Sequence, residues 1–209
     1  MKRRRFLEAS AAVSVCGVLP SGAYSRSPNG KLRTAHIGVG GMGGSDLRSV
    51  SSHKMVEVAA LCDVDAKNLE RAAKKHAGAR TFRDYREMLS TLGDTIDAVV
   101  VSTPDHTHAP AAMTAMNMNK PVYCQKPLTH EVFEARQLRL VAEKKKLVTQ
   151  MGIQCHSGLP YRMATEYIQR GTIGKVSRVY AWSYKNWGYD GGPIRGEDPV
   201  PPNLKWDLW

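Results

Sequence analysis

The stretch Thr34-Ala35-His36-Ile37-Gly38-Val39-Gly40-Gly41-Met42-Gly43-Gly44 decides the fold. It begins as a short apolar strand, enters the pattern Gly38-x-Gly40-x-x-Gly43, and continues into the helix-compatible run Ser45 to Val50. In such a unit the first glycine turns the chain sharply off the strand and the second lets backbone approach a pyrophosphate. The third lets the helix pack close to the strand. A pyrophosphate then rests on free N–H groups at the helix start, where the dipole favours negative charge. Glycine-rich loops also serve as plain turns, so the neighbouring sequence must decide. Val56 to Cys62 is a second apolar strand ending at Asp63, twenty residues past Gly43. An acid at that spacing is placed to accept hydrogen bonds from adenosine ribose hydroxyls and would repel a 2′-phosphate. The expected ligand is therefore a dinucleotide, NAD in preference to NADP, held by Gly38, Gly40, Gly41, Met42, Gly43 and Asp63. Arg71 lies further along the next helix, within reach of the same region.

Outward from this unit the chain alternates strand and helix. Ala66, Leu69, Ala72, Ala73 and His76 share one helical face, Thr81-Phe82 is a short strand, and Asp84 caps a helix over Tyr85 to Leu92. The unbroken apolar run Ile96 to Val101 suits a central parallel strand covered on both faces. Ala109 to Met118 reads as helix and Pro121 to Cys124 as strand. Thr129 is expected to cap a helix reaching Lys146, with Glu131, Glu134 and the apolar stripe Val132, Ala135, Leu138, Ala142. Leu147 to Gly152 closes the series as a strand. The order predicts an α/β class, a doubly wound parallel sheet with ligands beyond the strand C-termini. After Gly152 the pattern changes. Leu159 to Arg170 suits a helix, and Val176 to Trp187 is strand-like, with Arg178, Tyr180, Trp182 and Tyr184 on one face. Gly188 to Trp209 has no periodicity. A single aromatic strand leaves both edges unpaired, so either another chain covers it or the sequence is the front part of a longer protein.

Residues 1–23 read as a targeting segment. Arg3-Arg4-Arg5-Phe6-Leu7 fits the twin-arginine pattern, Ala9 to Leu19 is a short apolar core, and Ser21-Gly22-Ala23 offers a cleavage site. Eleven residues are too few to span a bilayer as a helix. Export to the periplasm is the expectation, with no membrane anchor after cleavage. A route that carries folded proteins suits an enzyme that acquires its cofactor in the cytoplasm. Ser25 to Gly30 reads as linker, so the expected organisation is a leader over 1–23 and a linker over 24–30. A dinucleotide-binding domain over 31–152 and the start of a second domain over 153–209 follow. Formal net charge is +11, but residues 1–23 hold four basic residues and one acid, and the remaining 26 basic and 18 acidic residues leave +8. No basic stripe interleaves with aromatics, which argues against a nucleic-acid partner. Cys16, Cys62, Cys124 and Cys155 show no CxxC spacing, and buried free thiols are the simplest reading.

Two more motifs fall at strand C-termini: Ser102-Thr103-Pro104-Asp105-His106-Thr107-His108 and Gln125-Lys126-Pro127-Leu128-Thr129-His130. A partly desolvated lysine beside a nicotinamide cation could exchange a proton with a substrate hydroxyl. Lys126 is therefore the candidate catalytic residue. His106 and His108 lack a third ligand nearby, so a cofactor-flanking or helix-capping role outweighs a metal pair. No metal site is expected.

These motifs resemble those of the Gfo/Idh/MocA oxidoreductase family over about Lys31 to Tyr184. GVGGMG is similar to the family's NAD(P) fingerprint, and Thr103 to His108 resembles its T-P-x-x-x-H segment, which lines the nicotinamide side. Cys124-Gln125-Lys126-Pro127-Leu128 resembles C-E-K-P-L, whose lysine is the family's catalytic residue and cofactor contact and whose Lys-Pro bond is commonly cis. Gly171 to Val176 resembles the passage into an open-faced β-sheet domain, and Pro201 to Trp209 an insertion of secreted members. The resemblance implies a Rossmann domain followed by the start of a truncated α+β domain. It also implies an NAD(P)-dependent oxidoreductase acting on a sugar or polyol hydroxyl, and a homo-oligomer in a full-length form. Thr103, Pro104, His108, Gln125, Lys126 and Gln154 join the implied cofactor contacts. An NAD-retaining glycosidase is an alternative chemistry within the family, and a non-catalytic dinucleotide-binding fragment a third reading. Gln125 stands where the family has glutamate, and the later D-x-x-x-H segment that completes the acid–base site is absent.

Overall fold

A computed structural model describes residues 30–184, 191–193 and 196–209. The leader and nearly all of the linker lie outside these residues. Leu32–Trp209 forms one compact unit. Its frame is a six-stranded sheet of β1 (Leu32–Ile37), β2 (Val56–Cys62), β3 (Arg80–Phe82), β4 (Ala98–Val101), β5 (Val122–Gln125) and β6 (Thr149–Gly152). All pairings are parallel and the spatial order is β3-β2-β1-β4-β5-β6. The order reverses between β1 and β4, which opens a crevice at their C-terminal ends. Helices α1 (Gly41–Ser51), α2 (Ala66–Ala73), α3 (Tyr85–Leu92), α4 (His108–Asn117) and α5 (Val132–Lys145) connect successive strands. Two short helices follow β6, α6 (Gln154–Ser157) and α7 (Leu159–Gln169). Among the described residues no helix is long and apolar enough to cross a membrane.

Burial explains why these segments take these forms. Val99, Val100 and Val101 are all buried, as both faces of a central parallel strand require. On one face Leu47 of α1 and Leu69 and Ala72 of α2 pack with Val39 and Leu61. On the other, Met88, Leu89 and Leu92 of α3, Ala111, Ala115 and Met116 of α4 and Leu138 of α5 cover Ile37, Val99 and Val101. Helix starts are set by side chains that accept orphan N–H groups. Asp65 accepts from Lys67 N at 2.8 Å, and Asp84 from Arg86 N at 2.8 Å. Cys62 and Cys124 are buried free thiols, and burial, aided at Cys62 by nearby acids led by Asp63, pushes both up to about 12.

Four expectations are corrected. Helix α1 begins at Gly41 rather than Ser45, because the glycine loop itself makes the first helical turn. Helix α5 is capped by Glu131, not Thr129: Glu131 and Glu134 form a reciprocal capping box, whereas the Thr129 hydroxyl donates to the Glu131 carbonyl at 2.8 Å. Val132, placed on the apolar stripe, is 70% exposed, since it opens the helix before the turn that meets the sheet. Finally, Val176 to Tyr184 forms no strand and is exposed throughout. The alternation is present, but no described strand pairs with it, and an unpaired strand leaves its backbone donors to water. Trp187 lies outside the described residues.

His36 adds a pH-sensitive element to the sheet centre. It is 1% exposed, its Nε2 lies 3.1 Å from Thr34 Oγ1, and its Nδ1 has no partner among the described residues. Burial, with a smaller contribution from His76, lowers its pKa from 6.5 to about 4. The folded form therefore refuses a proton that the unfolded chain accepts. The associated stability is fully present above pH 6.5 and is lost as pH falls toward 4. At about pH 4.5 the expected loss is about 2 kcal/mol. Urea unfolding of the parent and His36→Leu at pH 7 and pH 4.5 checks this. The parent should lose about 2 kcal/mol more than the variant, and equal losses would refute the assignment.

Candidate functional site

The crevice between β1 and β4 holds a cleft of about 520 Å³, within the range of roughly 300–1,000 Å³ common for small-ligand sites. Gly38, Gly40, Met42, Asp63, Thr103 and Pro104 line it, so the structure brings six of the expected cofactor residues onto one surface. Gly38 has φ of +80°, and a Cβ there would lie 2.5 Å from the Ser102 carbonyl oxygen. A Cβ on Gly43 would lie 2.1 Å from the Gly38 carbonyl oxygen, so no side chain fits between helix and strand. Gly40 N-caps α1 with no side-chain hydrogen bond and no acid in the first turn. The N–H groups at the start of α1 therefore keep their capacity for an anion.

Asp63 does more than its spacing indicated. Its carboxylate accepts Val39 N at 2.9 Å through Oδ2 and Asp65 N at 2.8 Å through Oδ1. It thereby ties the glycine loop to the end of β2. A carboxylate has about four lone-pair sites, so Asp63 keeps acceptor capacity beside these two bonds.

The other expected residues sit at the ends of β4, β5 and β6. His108 is buried, with Nδ1 2.6 Å from the Pro127 carbonyl oxygen and Nε2 2.7 Å from that of Thr103. It bridges the loops after β4 and β5 rather than lining the cleft. The Lys126-Pro127 peptide is cis. Lys126 is exposed, not partly desolvated, and pairs with none of the described carboxylates. Gln154 reaches the glycine loop, its Nε2 3.7 Å from Met42 Sδ. His106 packs edge-on against Trp209 with ring centroids 5.0 Å apart. No group of three or more potential metal ligands occurs among the described residues.

Sequence reasoning missed Asp46. From the second turn of α1 its carboxylate accepts the Ser102 hydroxyl at 2.7 Å and Gln125 Nε2 at 3.0 Å. Gln125 in turn accepts Lys126 N through Oε1 at 2.8 Å. A hydrogen-bonded chain thus runs from the dinucleotide-loop helix to the backbone of the candidate catalytic lysine. A glutamate at 125 would face Asp46 with a like charge, whereas the amide donates to it. Arg83 was also missed. Its guanidinium borders the cleft and donates to the carbonyls of Val64 and Asn203.

Residues 32–153 match the model of the oxidoreductase family with an NAD-binding Rossmann fold, the Gfo/Idh/MocA group. The chain belongs to this family. Inositol 2-dehydrogenase of Salmonella paratyphi B is 29% identical over 157 residues, covering 73% of this chain and 46% of that protein. A glycosyl hydrolase family 109 protein of Stenotrophomonas maltophilia is 36% identical over 137 residues, covering 60% and 29%. Among solved structures, myo-inositol 2-dehydrogenase of Lactobacillus plantarum superposes with a TM-score of 0.65 at 30% identity, covering 70% of this chain and 43% of that one. The Gfo/Idh/MocA chain described here spans under half the length of these relatives.

Proposed function

We propose that this chain carries the dinucleotide-binding half of an NAD-dependent oxidoreductase acting on a sugar or polyol hydroxyl. The observation that carries the reading is the cleft at the β1/β4 switch point, which Gly40 at the uncapped start of α1 and the Asp63 carboxylate both line. The residues fit an NAD. Gly43 leaves no room for a side chain beneath the loop, the α1 N–H groups suit a pyrophosphate, and Asp63 retains acceptors for ribose hydroxyls. When bound there, NAD supplies a hydride acceptor for the carbinol carbon. Lys126 takes the hydroxyl proton through its amine, and the Asp46–Gln125 chain fixes the backbone from which that amine extends. Turnover is read as a property of a form longer than this chain, homo-oligomeric when complete. The resemblance to the family 109 glycosyl hydrolase supports a second reading, an NAD-retaining glycosidase. A longer form incubated with NAD and a panel of polyols and glycosides distinguishes them. Net NADH formation supports dehydrogenation, glycoside cleavage without net reduction supports the second reading, and neither outcome rejects both.

NAD is preferred to NADP in this reading, because Asp63 would repel a 2′-phosphate and the Arg83 guanidinium is already held by two main-chain carbonyls. Asp63→Ala should weaken NAD binding about tenfold or more, narrow the NAD/NADP ratio, and lower stability by about 1–3 kcal/mol through the two abandoned N–H donors. Titration of both cofactors against both proteins checks this, and tighter NADP binding by the parent would sink the preference.

Export by the twin-arginine route is part of the same proposal, supported by Arg3-Arg4-Arg5-Phe6-Leu7. Replacing the three arginines with lysine should retain the protein in the cytoplasm, because a receptor reads that signal. Cell fractionation measures it, and unchanged export would remove the periplasmic assignment.

A further inference from the structure

The residues nearest the C-terminus, which show no periodicity in sequence, fold back onto the dinucleotide cleft. Leu204 forms an antiparallel bridge with Asp65, directly after the end of β2. Ala66 N donates to the Asn203 carbonyl at 2.9 Å, and Lys205 N donates to the Val64 carbonyl at 2.9 Å. Asn203 Nδ2 donates to Asp65 Oδ1 at 2.8 Å, and Arg83 Nη2 to the Asn203 carbonyl at 3.0 Å. Slight burial raises the Asp65 carboxyl, but the Asn203 amide and the Lys67 and Asn68 N–H groups outweigh it and hold the group below its ordinary value. Trp206–Leu208 then makes a tight helical turn, Trp206 and Trp209 stack with centroids 5.3 Å apart, and His106 Nε2 lies 2.7 Å from the main-chain oxygen of Trp209. The segment thus attaches both to the loop after β2 and to the loop after β4, the two walls of the crevice.

Its apolar side chains meet the ligand space. Leu204, Leu208 and Trp209 line the same cleft as Gly40, Asp63 and Pro104. Trp209 remains 45% exposed there, and Lys126 is not among the lining residues. Leu204 bridges to Asp65, two residues past Asp63, so the turn borders the Asp63 end of the cleft, where a ribose-bound base would project. A purine is flat, aromatic and poor in charge, so it gains from apolar and aromatic faces more than from ion pairs.

We propose that Asn203 to Trp209 forms the outer wall of the adenosine subsite, with Leu208 and Trp209 packing on the adenine. This inference rests on the NAD reading above. The turn holds the adenosine half of the cofactor and leaves the nicotinamide half to the side of the site that carries Lys126, which does not line this cleft.

Calorimetric titration of NAD, ADP-ribose and nicotinamide mononucleotide into the parent, Trp209→Ala and Leu208→Ala tests it, with circular dichroism confirming that the sheet persists. In Trp209→Ala the dissociation constants for NAD and ADP-ribose should rise about tenfold or more, with nicotinamide mononucleotide unchanged. Leu208→Ala should act in the same direction. Unchanged or tighter NAD binding in both variants would overturn the wall, the tighter case marking the turn as an obstruction. Equal weakening for nicotinamide mononucleotide would overturn the adenosine assignment. A parent that binds neither NAD nor ADP-ribose would instead remove the cofactor reading itself.

Discussion

In a form long enough to turn over substrate, Lys126→Met should lower kcat by roughly 10²–10⁴, equivalent to about 3–5 kcal/mol of transition-state stabilisation. Methionine keeps much of the side-chain volume and deletes only the amine. NAD affinity should change far less, because Gly38 to Gly43 and Asp63 lie apart from Lys126, which does not line the cleft. A structural role for the amine predicts the opposite pattern, a small stability loss with near-normal kcat. That role has little support, since the side chain is exposed and no described carboxylate pairs with it. Measuring kcat beside the NAD dissociation constant separates the two. Turnover within tenfold of the parent would end the catalytic assignment.

Gly38→Ala should lower folding stability by about 2–5 kcal/mol and weaken NAD binding by about a hundredfold. Two effects add. At φ of +80° an alanine is strained, by about 1–2 kcal/mol. Its Cβ would also lie 2.5 Å from the Ser102 carbonyl oxygen and 2.7 Å from its carbonyl carbon. Those atoms are backbone at the end of β4, so the loop or the strand must move, at about 1–3 kcal/mol. Ser102 N donates to the Ile37 carbonyl at 2.8 Å, and that bond would stretch as the two strand ends separate. Gly41→Ala is the control. Its φ is +47° but its Cβ meets nothing within 4 Å among the described residues, so only the strain remains. Denaturant unfolding of both variants tests the argument. If Gly38→Ala fell within 1 kcal/mol of Gly41→Ala, the close approach of β1 and β4 would not be what demands the glycine.

The sheet was legible because its signals are local. Val56 to Cys62 was delimited as a strand by seven consecutive residues ending at an acid, and the observed strand has those bounds. Asp84 and the helix Tyr85–Leu92 were likewise readable, because a cap and the donor it satisfies lie two residues apart. The spacing marked Asp63 as a candidate cofactor contact but not as the acceptor that pins Val39, since the sequence carries spacing and not the fold of the loop. Asp46 was invisible for a related reason: its partners Ser102 and Gln125 lie 56 and 79 residues away. The turn at Asn203 is anchored to Asp65 across 138 residues and shows no period, so nothing local revealed where it docks. Thr129 and Glu131 were competing caps two residues apart, and the capping box with Glu134 decides for Glu131. Val176 to Tyr184 failed in the other direction. Its alternation is a local signal for a strand, but strand formation needs a partner to accept its backbone.

The most direct test of the account is a calorimetric titration of this 209-residue chain with NAD and NADP at neutral pH. The account predicts saturable binding of one NAD per chain, tighter than NADP, and reduced by Asp63→Ala. No detectable NAD binding by the folded chain at millimolar cofactor would contradict it.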